Sequence, residues 1–556
     1  MLASVVSLSI CAVLGGGPVA GSRPAPERAA PGFHQIAFVT DTLSHGQLGD
    51  GYLSLNEAIQ LHNGTLLVSQ LSTAEQQQVT ALPGSLTADV TWIDIDSEAV
   101  PTITVQQDID TIVNTSYGLF LRGEGGRVTL DLSGAGLTRG LHSTSSSLSL
   151  QGLRFLGGAS GLEVVQADAT GQPGCVLIDC VFENLATFGL KVTGTQPGGV
   201  GRLILEDCRF TNVPDAVSFD EVAADRNTIF EARDVRISGA ADGFDFDVGV
   251  GGTARFTLDR CVVTCTGVGV DLAAPSTSGR PLLVEGTHLR VRAPLCARFD
   301  GAADAVTWMQ ASMWNLLAPP GGVALELGAL GDQIYGDLKE LRCAGDVTVA
   351  AGAAPLPLRV RNARCRDGAV TLSTSPSQQL EATESRFSNC VTETSGTAAV
   401  SFVGCSFDGG SVGTSSAAGS LQLSGCYASN AGPGVAASGA LAQAQLGSME
   451  VAPDDTQLGG TISFQMDLPA GLVGVFALGT LPLTLPTLPA PYYIYADPTS
   501  LVFLPGVYSG QQSASWQVPP LIPFFGAQLV VQAAVLPVSG PAPFLQLPPG
   551  WLFEVR

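Results

Sequence analysis

Apolar and polar residues alternate with a period of two along most of the chain, in short runs separated by Gly, Asn, Asp and Ser. Such runs predict β-strands with one inward face, and they show no helical period. The pieces GLRF, DCVF, DCRF, DVRI, RCVV, SRF, GCSF and GCYA recur. Anchored on the cysteine position, the repeat falls at Leu153, Cys180, Cys208, Val235, Cys261, Thr287, Ser312, Leu341, Ala363, Ser385, Cys405, Cys426 and Ser448, at intervals of 20 to 29 residues. A unit that short cannot bury a core by itself, but stacked on its copies it can, which predicts a solenoid. Each unit holds an anchor strand, a turn and a second strand, as in DCVFENLATFGLKV. The expected fold is all-β, a right-handed parallel β-helix over residues 101–451 with coils about 4.8 Å apart.

Two flanks depart from the repeat. Within residues 21–100, Ser54 and Glu57 form an S-x-x-E capping box, and Leu55, Ala58, Ile59 and His62 share one helical face. A helix there predicts a cap over the first coil, whose core and strand edge would otherwise be open. Residues 452–556 turn proline-rich, with strands such as TISFQMDL, GLVGVFAL, YYIYA and AQLVVQAAVL, and predict a small C-terminal antiparallel β-sandwich.

The Asp-Cys-x-Phe units with their Asn and Gly turns resemble the right-handed β-helix proteins of the pectate-lyase-like superfamily. DGYLSLNEAI at 50–59 resembles the CSLREA motif of secreted bacterial β-helix proteins. Ser54, Leu55, Glu57 and Ala58 match it, while Leu53 and Asn56 stand where the motif has Cys and Arg. The resemblance implies a fold and an exported setting. It leaves the function open, because one such scaffold carries lyases, hydrolases, adhesins and inert surface proteins.

Composition narrows the partners. The formal net charge is −23, lysine occurs only at Lys191 and Lys339, and no basic run exists. A nucleic acid or an anionic membrane surface would need a cationic footprint, so neither is an expected partner. The apolar start, MLASVVSLSICAVLGGGPVA, predicts a signal peptide over residues 1–20, and hence a secreted or cell-surface protein. No later segment has the roughly 20 apolar residues of a membrane helix. The mature chain is expected to be a monomer. Losing Cys11 with the leader leaves an odd number of cysteines. Their place in core strands predicts mostly free, buried thiols. The five histidines lack ligand spacing, which argues against zinc.

The candidate chemistry sits around DGFDFDV at 242–248. Aligning the second strands gives an inward column Val164, Val192, Phe219, Phe246, Val270, Phe299 and Leu325. The next residues form an outward column with Asp220, Asp247, Asp271, Asp300 and Glu326 on successive coils. Asp245 lies one step earlier, with Lys191 and Arg298 nearby. Three readings are open. The acids keep an outer face soluble and unsticky. Alternatively they form a comb for Ca²⁺ (Asp220, Asp247, Asp271, Asp300 and Glu326) beside a carbohydrate-binding set (Asp245, Asp247 and Arg298). Last, the face is the site of a lyase or hydrolase acting on an acidic polysaccharide. No residue is assigned a catalytic role and no cofactor is required. The expected function is therefore structural or binding, adhesin-like or carbohydrate-binding, with the enzyme as the alternative.

Overall fold

In the computed structural model, the described residues run from Gln35 to Ser429 with short interruptions, and then comprise the strands lying between Ser448 and Glu554. Residues 1–20, expected to be a leader, the stretch YYIYA and Cys426 lie outside them. Coil after coil contributes three strands, one more than the sequence units suggest. Gly174–Ile178, Val181–Glu183 and Phe188–Gly194 make one such coil, followed by Val200–Glu206, Arg209–Thr211 and Asp215–Glu221. First strands pair in parallel with first strands, and second and third likewise, so the chain is a parallel β-helix with three faces. The first face is a sheet of 16 strands that opens as early as Gln35–Val39.

The corner between the first and second faces explains the recurring Asp-Cys pair. Asp179, Asp207 and Asp234 all adopt φ near +54, the left-handed region where Asp and Asn are tolerated best among residues with a side chain. That turn throws the next residue inward. Cys180, Cys208, Val235 and Cys261 are each fully buried there. The thiols reach backbone carbonyls, for instance Cys208 Sγ to Glu206 O at 3.4 Å. The anchors placed at Thr287 and Ser312 come two residues too early. Thr287 pairs with Asp259 and Ser312 with Thr287, and Leu289 and Trp314 fill the interior position. Ser448, expected to open a further coil, begins an antiparallel strand instead.

Two residues beyond the cysteine runs a second interior column. Phe155, Phe182 and Phe210 stack with ring centroids 4.7 and 4.8 Å apart, nearly parallel. The spacing is that of the strands themselves, so the rung distance dictates the stack. Ile237, Val263, Val291, Leu316, Cys343 and Cys365 continue it, coil by coil. The ten described cysteines are buried and none is in a disulfide, and burial pushes the Cys261 thiol up to about 12. Alkylation in denaturant without reductant is expected to label all ten; labelling of one or none would mean a disulfide framework.

The helix Leu55–Asn63 forms as its sequence predicts, with both halves of the capping box made and Gly64 ending it in a left-handed turn. Leu55, Ala58, Ile59 and Leu61 join the solenoid's own core, so the helix covers its first coils. His62 is buried on the same side, which holds its imidazole down at about 4. After the coils, strands between Ser448 and Glu554 form two small antiparallel sheets, of three and four strands. No described helix is long and apolar enough to cross a membrane.

Candidate functional site

The third face carries the acidic residues, and its register differs from the expected one. Phe219 pairs with Phe246, Phe246 with Leu272, and Leu272 with Phe299. Outward of these, Asp220 pairs with Asp247, but Asp247 pairs with Ala273 and only then comes Asp300. Asp271 and Glu326 belong to the column of Asp245, which reads Glu163, Lys191, Ser218, Asp245, Asp271, Arg298, Glu326. The comb of five in-register acids therefore does not exist. Two columns share the charges instead. The slip has a physical cause: Val270 and Leu272 are both buried, as are Leu325 and Leu327. A shift of two residues keeps every side chain on its own face, so alternation cannot detect it.

The columns partly neutralise one another. Lys191 Nζ lies 2.9 Å from Asp220 Oδ2, across the two columns. Ser218 Oγ donates to Asp220 Oδ1 at 3.2 Å. Arg298 grips Asp271 with both Nε, at 2.9 Å, and Nη2. Between these two ion pairs stand Asp245 and Asp247, neither of which accepts a hydrogen bond from a described residue. Burial, followed by the charges of Asp247, Asp271, Asp220 and Asp242, raises the Asp245 carboxyl to about 6. Asp247 is raised by burial, Asp220 and Asp271, with Arg298 pulling the other way. Of Asp300 the backbone register is described and the side chain is not.

A third outward column, not picked out from the sequence, widens the patch. Phe188, Asp215 and Asp242 stack in it, and the Phe188 ring is part exposed. Asp242 also has a local duty, since its Oδ1 accepts from the backbone N–H of Val268 at 2.8 Å. The sequence signal for this column was an aspartate two residues before the inward Val217 and Phe244, in PDAV and ADGF. Among the described residues, no group of three or more His, Cys, Asp and Glu side chains is placed to hold a metal ion. What the face offers is two uncommitted carboxylates, a cation at either side and an aromatic ring along the same strands.

The first face holds a cleft of about 540 Å³, but there Arg233, Arg260 and Lys339 face Asp259, Glu285 and Asp337, so its charges balance. No known protein family and no curated protein matches the chain.

Proposed function

We propose that the chain is an exported β-helix protein, secreted or held at the cell surface, whose third face binds a carbohydrate or another surface component. The observation that carries the reading is the pair Asp245 and Asp247. Carboxylates without protein partners are strong acceptors for hydroxyl groups. The flanking Lys191–Asp220 and Arg298–Asp271 pairs fix their surroundings. Phe188 adds an apolar surface of the kind on which the carbon face of a sugar ring packs. Where the polymer is itself acidic, Ca²⁺ can bridge its carboxylates to those of the protein. Such a cation takes six to eight oxygens and need not find them all in one chain.

The test is retention of the purified chain on neutral and uronic-acid polysaccharides, with Ca²⁺ or with chelator, at fixed ionic strength. Wild type is expected to be retained by at least one polymer, and the Asp245→Asn, Asp247→Asn double variant to lose at least ten-fold in affinity. Retention by none, or equal retention of both chains, rejects the reading. Release of oligosaccharides in the same incubation would replace binding by cleavage.

A further inference from the structure

Arginine is spread along the sequence without any basic run, yet the coil gathers it on the second face. In the outward column next to the interior residues Phe210 and Ile237, Arg209 pairs with Arg236. Further along it, Arg342, Arg364 and Arg386 stack on successive coils, at intervals of 22 residues. Arg290 stands between these groups, set off by Val262 and Asn315. Two residues on, the other outward column adds Arg292 and Arg366. Over these eight coils the two columns hold eight arginines and neither Asp nor Glu. At rung spacing the stripe is about 34 Å long.

Most of this charge is uncommitted. Arg366 lies 3.9 Å from Asp367, and Asp234, beside Arg236, is already held by Arg260. Arg209, Arg236, Arg290, Arg292, Arg342 and Arg364 are exposed and form no ion pair with a described residue. The Arg364 guanidinium is pulled below its ordinary value by the atoms packed around it, then by the charges of Arg342 and Arg386, with Glu340 opposing. Like charges stacked without a counter-charge repel, and an anion laid across them removes the repulsion.

Width and chemistry narrow the partner. Acids border the stripe on both sides, with Asp207, Asp234 and Glu340 at the first corner and Asp215 and Asp242 opening the third face. A planar anionic membrane would meet those acids together with the arginines, whereas one polymer strand along the solenoid axis meets the arginines alone. Neither column carries an aromatic ring in these coils, so nucleobases find nothing to stack on. Thr211, Ser238 and Thr264 set hydroxyls beside the arginines, suited to a sugar. The coils of Arg290 and Arg364 hold two guanidiniums each, which calls for more than one charge per sugar. Guanidinium forks pair with tetrahedral oxyanions directly, without a bridging metal.

We propose that the second face binds a sulfated polysaccharide, its chain lying along the arginine stripe with sulfate esters on the guanidiniums. The stripe shares no residue with the third-face site, so either binding surface can fail without the other.

Calorimetry on the full chain in chelator, with a heparin oligosaccharide, its desulfated form and an oligothymidylate of similar length, tests the proposal. Saturable binding of heparin is expected, with the other two at least ten-fold weaker. The Arg342→Gln, Arg364→Gln double variant is expected to weaken heparin at least ten-fold. It should also flatten the slope of log affinity against log salt by about one for each guanidinium removed. Both side chains are exposed, so its unfolding midpoint should stay near wild type. Arg202→Gln, Arg255→Gln makes the same charge change on the first face, where both arginines are ion-paired. That pair is expected to bind as wild type does, and so is Asp245→Asn, Asp247→Asn. Absence of saturable heparin binding, equal losses in the two arginine pairs, loss in the aspartate variant, or a match to heparin by either other polymer overturns the proposal.

Discussion

Replacing Phe210 by alanine is expected to cost about 3–5 kcal/mol of stability, the range for emptying an aromatic site in a core that cannot close over it. The ring is 1% exposed. It lies 4.8 Å from Phe182 on one side, and the other side is covered by Ile237 of the next coil. The site is unable to collapse because each neighbouring strand is held at rung spacing by ladder hydrogen bonds on all three faces. Gly189 shows how tightly the ring is seated, since a β-carbon there would come within 2.7 Å of Phe210 Cδ1. In a stacked repeat each coil touches only its neighbours, so the damage should be local. Hydrogen exchange is expected to speed up in the coils of Phe182, Phe210 and Ile237, while amides around Phe387 keep their protection. Phe210→Leu should cost under half as much. A urea midpoint equal to wild type, or protection lost evenly along the chain, would contradict the stack.

The interior was the legible part of this sequence because it repeats. In the coils of Cys180 and Cys208 one column holds a small buried residue after a left-handed corner and the column two residues on holds a ring, so Asp-Cys-x-Phe appears there. The capping box of Ser54 and Glu57 was legible for a similar reason, being a local pattern with a single geometric meaning. The first strand of each coil escaped notice. Strands such as Val200–Glu206 run straight into the corner aspartate and read as a lead-in to the anchor. The register of the outer columns was beyond reach. Coil length varies, and at Val270 or Leu325 a two-residue slip exchanges one buried aliphatic residue for another. That slip moved Asp271 and Glu326 to the wrong column and turned a mixed-charge face into a comb of acids. Faces follow from composition and alternation, whereas neighbours within a face depend on the lengths of the turns.

The corrected register leads to a pH-dependent result at Asp245. In the folded chain this carboxyl titrates at about 6, against an ordinary value of 3.8. The folded state thus keeps its proton at pH values where the unfolded state has lost it. Stability contributed by the protonated group is complete below about pH 4, falls as pH rises through 6, and is gone above that. Beyond pH 6 an ionised Asp245 sits unpaired beside Asp247 and in register with Asp271, whose charge is already taken by Arg298. Asp245→Asn removes the charge and keeps the shape. Its stability should match wild type near pH 4, rise above it between 4 and 6, and level off about 1 kcal/mol higher at neutral pH, after allowance for solvent screening of a part-exposed group. Arg298→Met should move the other way at neutral pH, because it strips Asp271 of its partner and leaves Asp245, Asp271 and Glu326 stacked without a cation. That loss should shrink as the acids take up protons. Unfolding midpoints from pH 4 to 8 at constant salt measure both curves. If Asp271 instead sat beside Asp247 and Asp300 in one comb, Asp247→Asn would show the larger gain and Asp245→Asn little, so the order of the two variants decides between the registers.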